Sequence, residues 1–211
     1  PVGGVPLAAA TRLVRVPSVE VAPVERASGD GVAWIACGEP DLPGLEREGA
    51  ALAATARLVG GADATLAALR HALLDCRRVH VAGHGFDAQA CPALGGVRLA
   101  DGWFGAVDLP ERVAADVVVL GACRTGRVRG TGALAWGGLP AALLARGARY
   151  VLWTADDVDD AAAAALTARL DRALREGDDV PAAFGRALRE ACQDASGVAA
   201  LLPFRLSGIL P

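Results

Sequence analysis

Apolar positions follow two rhythms along this chain. Short, mainly apolar runs occur at Val32–Cys37, Val79–Gly83, Asp116–Gly121, Tyr150–Thr154 and Phe204–Gly208. They are rich in Val, Leu and Ile and stop at Gly or a polar turn, as strands buried on both faces do. Between them leucines recur at helical spacing. Residues 44–59 carry Leu45, Leu52 and Leu58, with Glu46, Arg47 and Glu48 expected outward. Asp63–Asp75 places Leu66, Leu69, Leu73 and Leu74 on one face. Leu139–Arg146 predicts a helix closed by Gly147, and Asp156–Arg175 a long helix with acids at its positive end. Pro181 opens another, to about Asp194. A strand pair broken by Pro17 is expected over residues 12–22, and a hairpin around Val97–Asp101 and Trp103. Strands alternating with helices predict a mainly parallel α/β sheet covered on both faces.

Composition sharpens this picture in three places. The 211 residues are 53% hydrophobic, enough for one α/β domain with a sizeable core. All 21 basic residues are Arg, and there is no Lys, Asn or Met, so Ala content alone is a weak helix signal here. The absence of Met makes the sequence read as a piece of a longer chain. A net charge of −3 gives no electrostatic reason to expect nucleic acid, and no apolar run has the length of a membrane span. The five cysteines, Cys37, Cys76, Cys91, Cys123 and Cys192, are odd in number and scattered without CxxC spacing. That pattern fits reduced thiols and a cytoplasmic setting better than a disulfide frame.

The chemistry concentrates in two phrases. One is Val79-His-Val-Ala-Gly-His84-Gly85, the other Val117-Val-Val-Leu-Gly-Ala-Cys123-Arg-Thr-Gly126. In an open α/β sheet the functional crevice lies outside the carboxyl ends of the strands. If both strands belong to one parallel sheet, His84 and Cys123 emerge at the same edge, as a cysteine nucleophile with a histidine partner. The backbone N–H groups of Gly85 and Cys123 are the candidate oxyanion donors. His80, about 13 Å from His84 along its strand, reads as structural, and His71 as a solvated helix residue. A zinc site from His84, Cys91 and Cys123 lacks ligand spacing, so neither metal nor cofactor is expected. Asp156, Asp157, Asp159 and Asp160 follow the Tyr150–Thr154 strand. Capping of the next helix by Asp156 or Asp157 accounts for part of this cluster. The alternative is a substrate pocket lined by Asp156, Asp157 and Asp159 that takes a basic side chain. The Gly- and Arg-rich stretch 124–138 is longer than a plain connection and is expected to shape a substrate groove.

With both phrases placed, the sequence resembles the CHAT domain family, caspase-like domains related to separase and the caspases. The resemblance runs through Gly38-Glu-Pro-Asp-Leu42, His80-Val-Ala-Gly-His84-Gly85, Leu94-Gly-Gly-Val-Arg-Leu-Ala-Asp101 and Leu120-Gly-Ala-Cys123-Arg-Thr-Gly126. It continues through Gly138-Leu-Pro, Val151-Leu-Trp153, Asp157-Val-Asp-Asp160 and Pro203-Phe-Arg-Leu-Ser-Gly208. Gly121 departs from the family, where Ser or another small residue is usual. Thr154-Ala-Asp156 also departs, since a Pro commonly precedes that acid. The resemblance implies a three-layer caspase–haemoglobinase fold in one domain over residues 1–211. It further implies a Cys/His dyad at Cys123 and His84, and a protein or peptide as substrate. A repeat or sensor domain elsewhere in the same chain is the expected regulator. The rivals are a catalytically silent caspase-like scaffold and a flavodoxin-like binder; no phosphate-binding Gly loop follows the first strand, which counts against the latter.

Overall fold

The computed structural model describes residues 25–28, 30–38, 41–86, 95–126, 138–192 and 195–208. Its centre is a six-stranded sheet. In chain order the strands are β1 (Val32–Ala36), β2 (Ala56–Gly60), β3 (Arg78–Ala82), β7 (Val117–Gly121), β8 (Tyr150–Thr154) and β9 (Phe204–Gly208). Spatially they run β2-β1-β3-β7-β8-β9. All neighbours are parallel except β8 and β9. A small antiparallel sheet of β4 (Gly85–Phe86), β5 (Gly96–Leu99) and β6 (Gly102–Gly105) branches off just beyond β3.

Period-two alternation along each strand divides the core. Ala33, Ile35, Val79, Val81, Val118, Leu120 and Val151 face one side. There they meet α2 (Leu66–Asp75) through Leu69 and Leu73, and α3 (Gly138–Ala145) through Leu139 and Leu143. Val117, Val119 and Leu152 face the other side, against α4 (Asp160–Arg175) and α5 (Val180–Ala191) through Leu166, Leu170 and Phe184. On that same side Trp34, Ala36 and Ala82 pack under α1 (Gly44–Leu52). The result is the three-layer arrangement expected, with each fully buried Leu or Val contributing roughly 1.5–3 kcal/mol. No helix among the described residues is long and apolar enough to cross a membrane.

Local chemistry sets the element ends. Thr65 caps α2 by accepting the Ala68 N–H at 3.2 Å, and Asp101 accepts that of Leu66 at 2.8 Å. Asp179 caps α5, which has Pro in its first turn. Gly147 closes α3 with a φ of 117°, a conformation only glycine takes freely.

Four expectations need correction. The stretch 44–59 is not one helix: α1 ends at Leu52 and β2 follows. Leu58 fits helical spacing, yet it stands 43% exposed on a strand at the edge of the described sheet. Glu48 does not point outward but is buried, because α1 also packs against α4. The long helix begins at Asp160 rather than Asp156, since Asp159 takes the cap position. A further short helix, α6 (Ala195–Leu201), follows α5 where none was expected. The strand pair expected over 12–22 lies outside the described residues.

Candidate active site

The sheet register brings the two phrases together. β3 and β7 are adjacent and parallel, with Ala82 opposite Gly121. His84 and Cys123 each stand two residues further on, so they leave neighbouring strands in step. Neighbouring strands lie about 4.8 Å apart. The backbones then close further: a Cβ on Gly85 would lie 1.8 Å from the Cys123 carbonyl oxygen and 3.0 Å from its nitrogen. No other residue fits there, which accounts for the glycine after His84. Gly83 before it has a φ of 148°.

The loop carrying Cys123 is laced to the end of β8. Thr154, fully buried, donates its hydroxyl to the Ala122 carbonyl at 2.5 Å. Thr125 donates its N–H to the Thr154 hydroxyl at 3.4 Å, and the Thr154 N–H returns to the Thr125 hydroxyl at 3.2 Å. The Gly126 N–H reaches the Thr154 carbonyl at 3.1 Å, and a Cβ on Gly126 would overlap the Trp153 ring. Between these anchors Arg124 holds a φ of 55°. A left-handed non-glycine residue persists only where its surroundings hold it, and such residues cluster at functional sites.

Cys123 itself is half-buried. Its sulfur receives the Val158 N–H at 3.5 Å and lies 3.8 Å from the Val158 carbonyl oxygen. Val158 sits just before the Asp159 cap, so the sulfur stands near the positive end of α4. The His84 ring is 39% exposed, and its Nε2 lies 3.2 Å from Oδ1 of Asp41. Asp41 was not singled out from the sequence. Its signal is the strand order: β1 neighbours β3, so the turn after β1 borders the turn after β3. Asp87, nearer to His84 in sequence, lies outside the described residues, as do Cys91 and most of the 124–138 loop.

The acidic segment divides its duties. Asp159 accepts the Ala162 N–H at 2.8 Å as the helix cap. Asp160 receives the Gly44 N–H and ties α4 to α1. Asp157 pairs with Arg124, whose guanidinium is pushed up from its usual value by that contact. Asp156 accepts the Asp157 N–H at 3.0 Å, and its carbonyl that of Arg124 at 3.3 Å. Asp156 and Asp157 thus flank the Cys123 loop on its β8 side.

The other titratable groups sort by burial. His80 is buried, with no hydrogen-bond partner for either ring nitrogen among the described residues, and desolvation lowers it to about 4. His71 is exposed beside Asp75. Burial pushes the Cys76 and Cys192 thiols up. Glu48 is 2% exposed and desolvation pushes it up to about 8. Among the described residues its Oε1 has no hydrogen-bond partner, and its Oε2 is 3.8 Å from where a Gly121 Cβ would stand. A cavity of about 660 Å³ lies at the opposite, amino end of the sheet, lined by residues including Arg77, Arg78 and Arg175, and touches neither His84 nor Cys123. Among the described residues no cluster of three His, Cys, Asp or Glu converges as metal ligands.

Known structures share this fold. The Saccharomyces cerevisiae separase–securin complex superposes with a TM-score of 0.59 at 16% identity, covering 89% of this chain and 12% of that one. The Arg-specific cysteine proteinase gingipain R (RgpB) gives 0.61 at 15%, covering 88% and 49%. The complex of Porphyromonas gingivalis RgpB pro- and mature domains gives 0.59 at 14%, covering 88% and 50%. This chain therefore spans half or less of each of these neighbours. No curated protein matches the sequence. The CHAT domain family model matches residues 9–199, nearly the whole chain. Two adjacent parallel strands ending in His84-Gly85 and Cys123, within a caspase-like three-layer sheet, agree with that match, and the chain belongs to the CHAT domain family.

Proposed function

We propose that this domain is a cysteine endopeptidase working through Cys123 and His84. The observation that carries the reading is the contact of Gly85 with the Cys123 backbone at the ends of β3 and β7. It brings a thiol, an imidazole and two backbone N–H groups to one edge.

The reaction needs no other group. The Cys123 thiol gives its proton to His84, and the sulfur attacks the scissile carbonyl carbon. A C–S bond forms while the carbonyl π pair moves onto oxygen, where the N–H groups of Gly85 and Cys123 receive it. Collapse breaks the C–N bond, and His84 returns its proton to the departing amine. Water then attacks the thioester with His84 as base. The C–S bond breaks, the acid product leaves and the thiol is restored. Asp41 on Nε2 fixes the ring and its tautomer, leaving the other nitrogen to move the proton. The Val158 N–H is aimed at the sulfur that turns negative in this cycle.

The substrate reading is a basic residue before the scissile bond. Asp156 and Asp157 border Cys123 on the β8 side, and the gingipain neighbour is Arg-specific. With Asp159 engaged as a helix cap, the pocket reading rests on the first two acids. An incoming Arg would compete with Arg124 for Asp157. The domain's partners are a protein substrate and a regulatory domain of the same chain, and its setting is the cytoplasm.

Cleavage of a peptide library by purified protein tests this. Cys123→Ala and His84→Ala are each expected to abolish cleavage with an unchanged circular-dichroism spectrum. Full activity in either refutes the dyad. A preference for Asp at the acyl-side position refutes the acidic pocket alone.

A further inference from the structure

The small sheet carries an exposed aromatic pair on the same face as His84. Its register sets Gly85 opposite Val97 and Val97 opposite Phe104. One row on, Arg98 donates its N–H to the His84 carbonyl at 2.8 Å and pairs with Trp103. His84, Arg98 and Trp103 therefore form a single cross-strand row. On the other side of the Val97 row stand Phe86, Gly96 and Gly105. Successive rows of a pleated sheet point to opposite faces. Val97 and Phe104 are fully buried in the core. The rows on either side must then turn outward, and the exposures agree: Phe86 is 46% and Trp103 45% exposed.

The two rings touch, with centroids 5.3 Å apart and planes tilted by 49°. The Arg98 guanidinium lies 5.8 Å from the Trp103 ring centre. Among the described residues no carboxylate pairs with it. The Phe86 row has only glycines at its other two positions, so no further side chain of that row interrupts the shelf. Half-exposed Phe and Trp side by side forgo much of the burial that such rings usually contribute, and exposed apolar patches of this kind mark contact sites.

Sheet order decides what this shelf would meet. His84 follows β3, Cys123 follows β7, and Asp156 and Asp157 follow β8. Cys123 stands between an acidic side and an aromatic side. His84 must reach the departing amine, so its side is the leaving-group side.

We propose that Phe86, Trp103 and Arg98 form a leaving-side subsite that takes a large apolar residue of the substrate peptide on the two rings, with an acidic neighbour at Arg98. The proposal rests on the Cys123/His84 reading of the site. It gives the substrate a two-sided signature: a basic residue before the cut, an apolar and acidic pair after it.

Internally quenched peptides varied after the scissile bond test it, using wild-type protein, Trp103→Ala, Phe86→Ala and Arg98→Glu. A chloromethyl ketone that ends at the reacting carbon carries no leaving-side residue, so its alkylation of Cys123 reports an intact fold and dyad in each variant. Wild type is expected to favour Phe, Trp or Leu at one leaving-side position. Trp103→Ala should reduce that preference by about tenfold or more, through KM rather than kcat. Arg98→Glu should exchange the acidic preference for a basic one. A leaving-side profile that is flat in wild type, or unmoved in Trp103→Ala and Arg98→Glu, overturns the subsite while leaving the dyad standing. Absence of both cleavage and alkylation in folded wild-type protein overturns the dyad, and the subsite with it.

Discussion

At the amino ends of β3, β7 and β8 the charged side chains join in networks of three or more, whereas at the carboxyl ends they meet in single pairs. Arg77 is held by Asp116 through two hydrogen bonds of 3.0 and 2.7 Å and by Asp30 at 2.9 Å. Asp171, 1% exposed, lies 3.1 Å from Arg78 and 2.9 Å from Arg175. At the other end His84 is 39% exposed with a single carboxylate contact, and Arg124 occupies a left-handed backbone conformation. The two buried carboxyls sharpen the contrast. Asp171 has two cations beside it. Glu48, as deeply buried, lies by Trp34 and Asp160 and near Gly121, with no cation paired to it among the described residues, and desolvation drives it toward the neutral form. One end of the sheet uses charge to lock the fold. The other holds its charges in isolated pairs around His84 and Cys123.

The largest way to break this contrast is Asp171→Ala. It strips a partly buried Arg78 of its carboxylate and is expected to cost about 2–3 kcal/mol in urea unfolding, with Cys123 labelling unchanged. A loss below 1 kcal/mol (about the value of an exposed pair) would show that the amino end is not locked by this charge.

The next is the pH dependence of stability. The folded-state value of Glu48 is raised from 4.5 to about 8, so its stabilisation is complete at low pH and fades as pH climbs through that range. His80 is depressed from 6.5 to about 4, so its contribution is present above 6.5 and fades as pH falls. The two oppose each other below 6.5, and Glu48 acts alone above it. Stability should drop by roughly 2 kcal/mol between pH 6.5 and 8, and Glu48→Gln should remove that drop. Denaturant midpoints across that interval decide it; equal slopes in wild type and Glu48→Gln would contradict the buried neutral carboxyl.

The smallest effect on stability is expected from Asp157→Ala. Its pair with Arg124 is exposed, so the unfolding midpoint should hardly move. The preference for Arg before the scissile bond should weaken, measured as the ratio of kcat/KM for Arg and Leu peptides. An unchanged ratio would place the specificity elsewhere.

What was legible in the sequence follows the same division. β3, β7 and β8 each have a strand on both sides and cover on both faces, so their runs are mainly apolar and their ends are visible. β2 pairs on one edge only among the described residues, with Arg57 and Leu58 exposed, and its spacing passed for the continuation of a helix. The positions of His84 and Cys123 followed from strand ends, because a parallel sheet gathers them at one edge. Asp41 did not, since its approach to His84 depends on β1 lying beside β3. The separate duties of Asp157, Asp159 and Asp160 depend on Arg124, the Ala162 N–H and the Gly44 N–H, and Arg124 and Gly44 are far from the segment in sequence. Glu48 looked like one more solvated helix acid because the packing of α1 on α4 leaves no mark in the local pattern.

The central claim is that Cys123 is a nucleophile activated by His84. Mass spectrometry of the protein after brief exposure to a peptidyl electrophile at neutral pH tests it most directly. The account predicts a single early adduct on Cys123, with Cys37, Cys76 and Cys192 untouched, and a rate lowered by about a hundredfold or more in His84→Ala. Early labelling at another cysteine, or a Cys123 rate indifferent to His84→Ala, would contradict it.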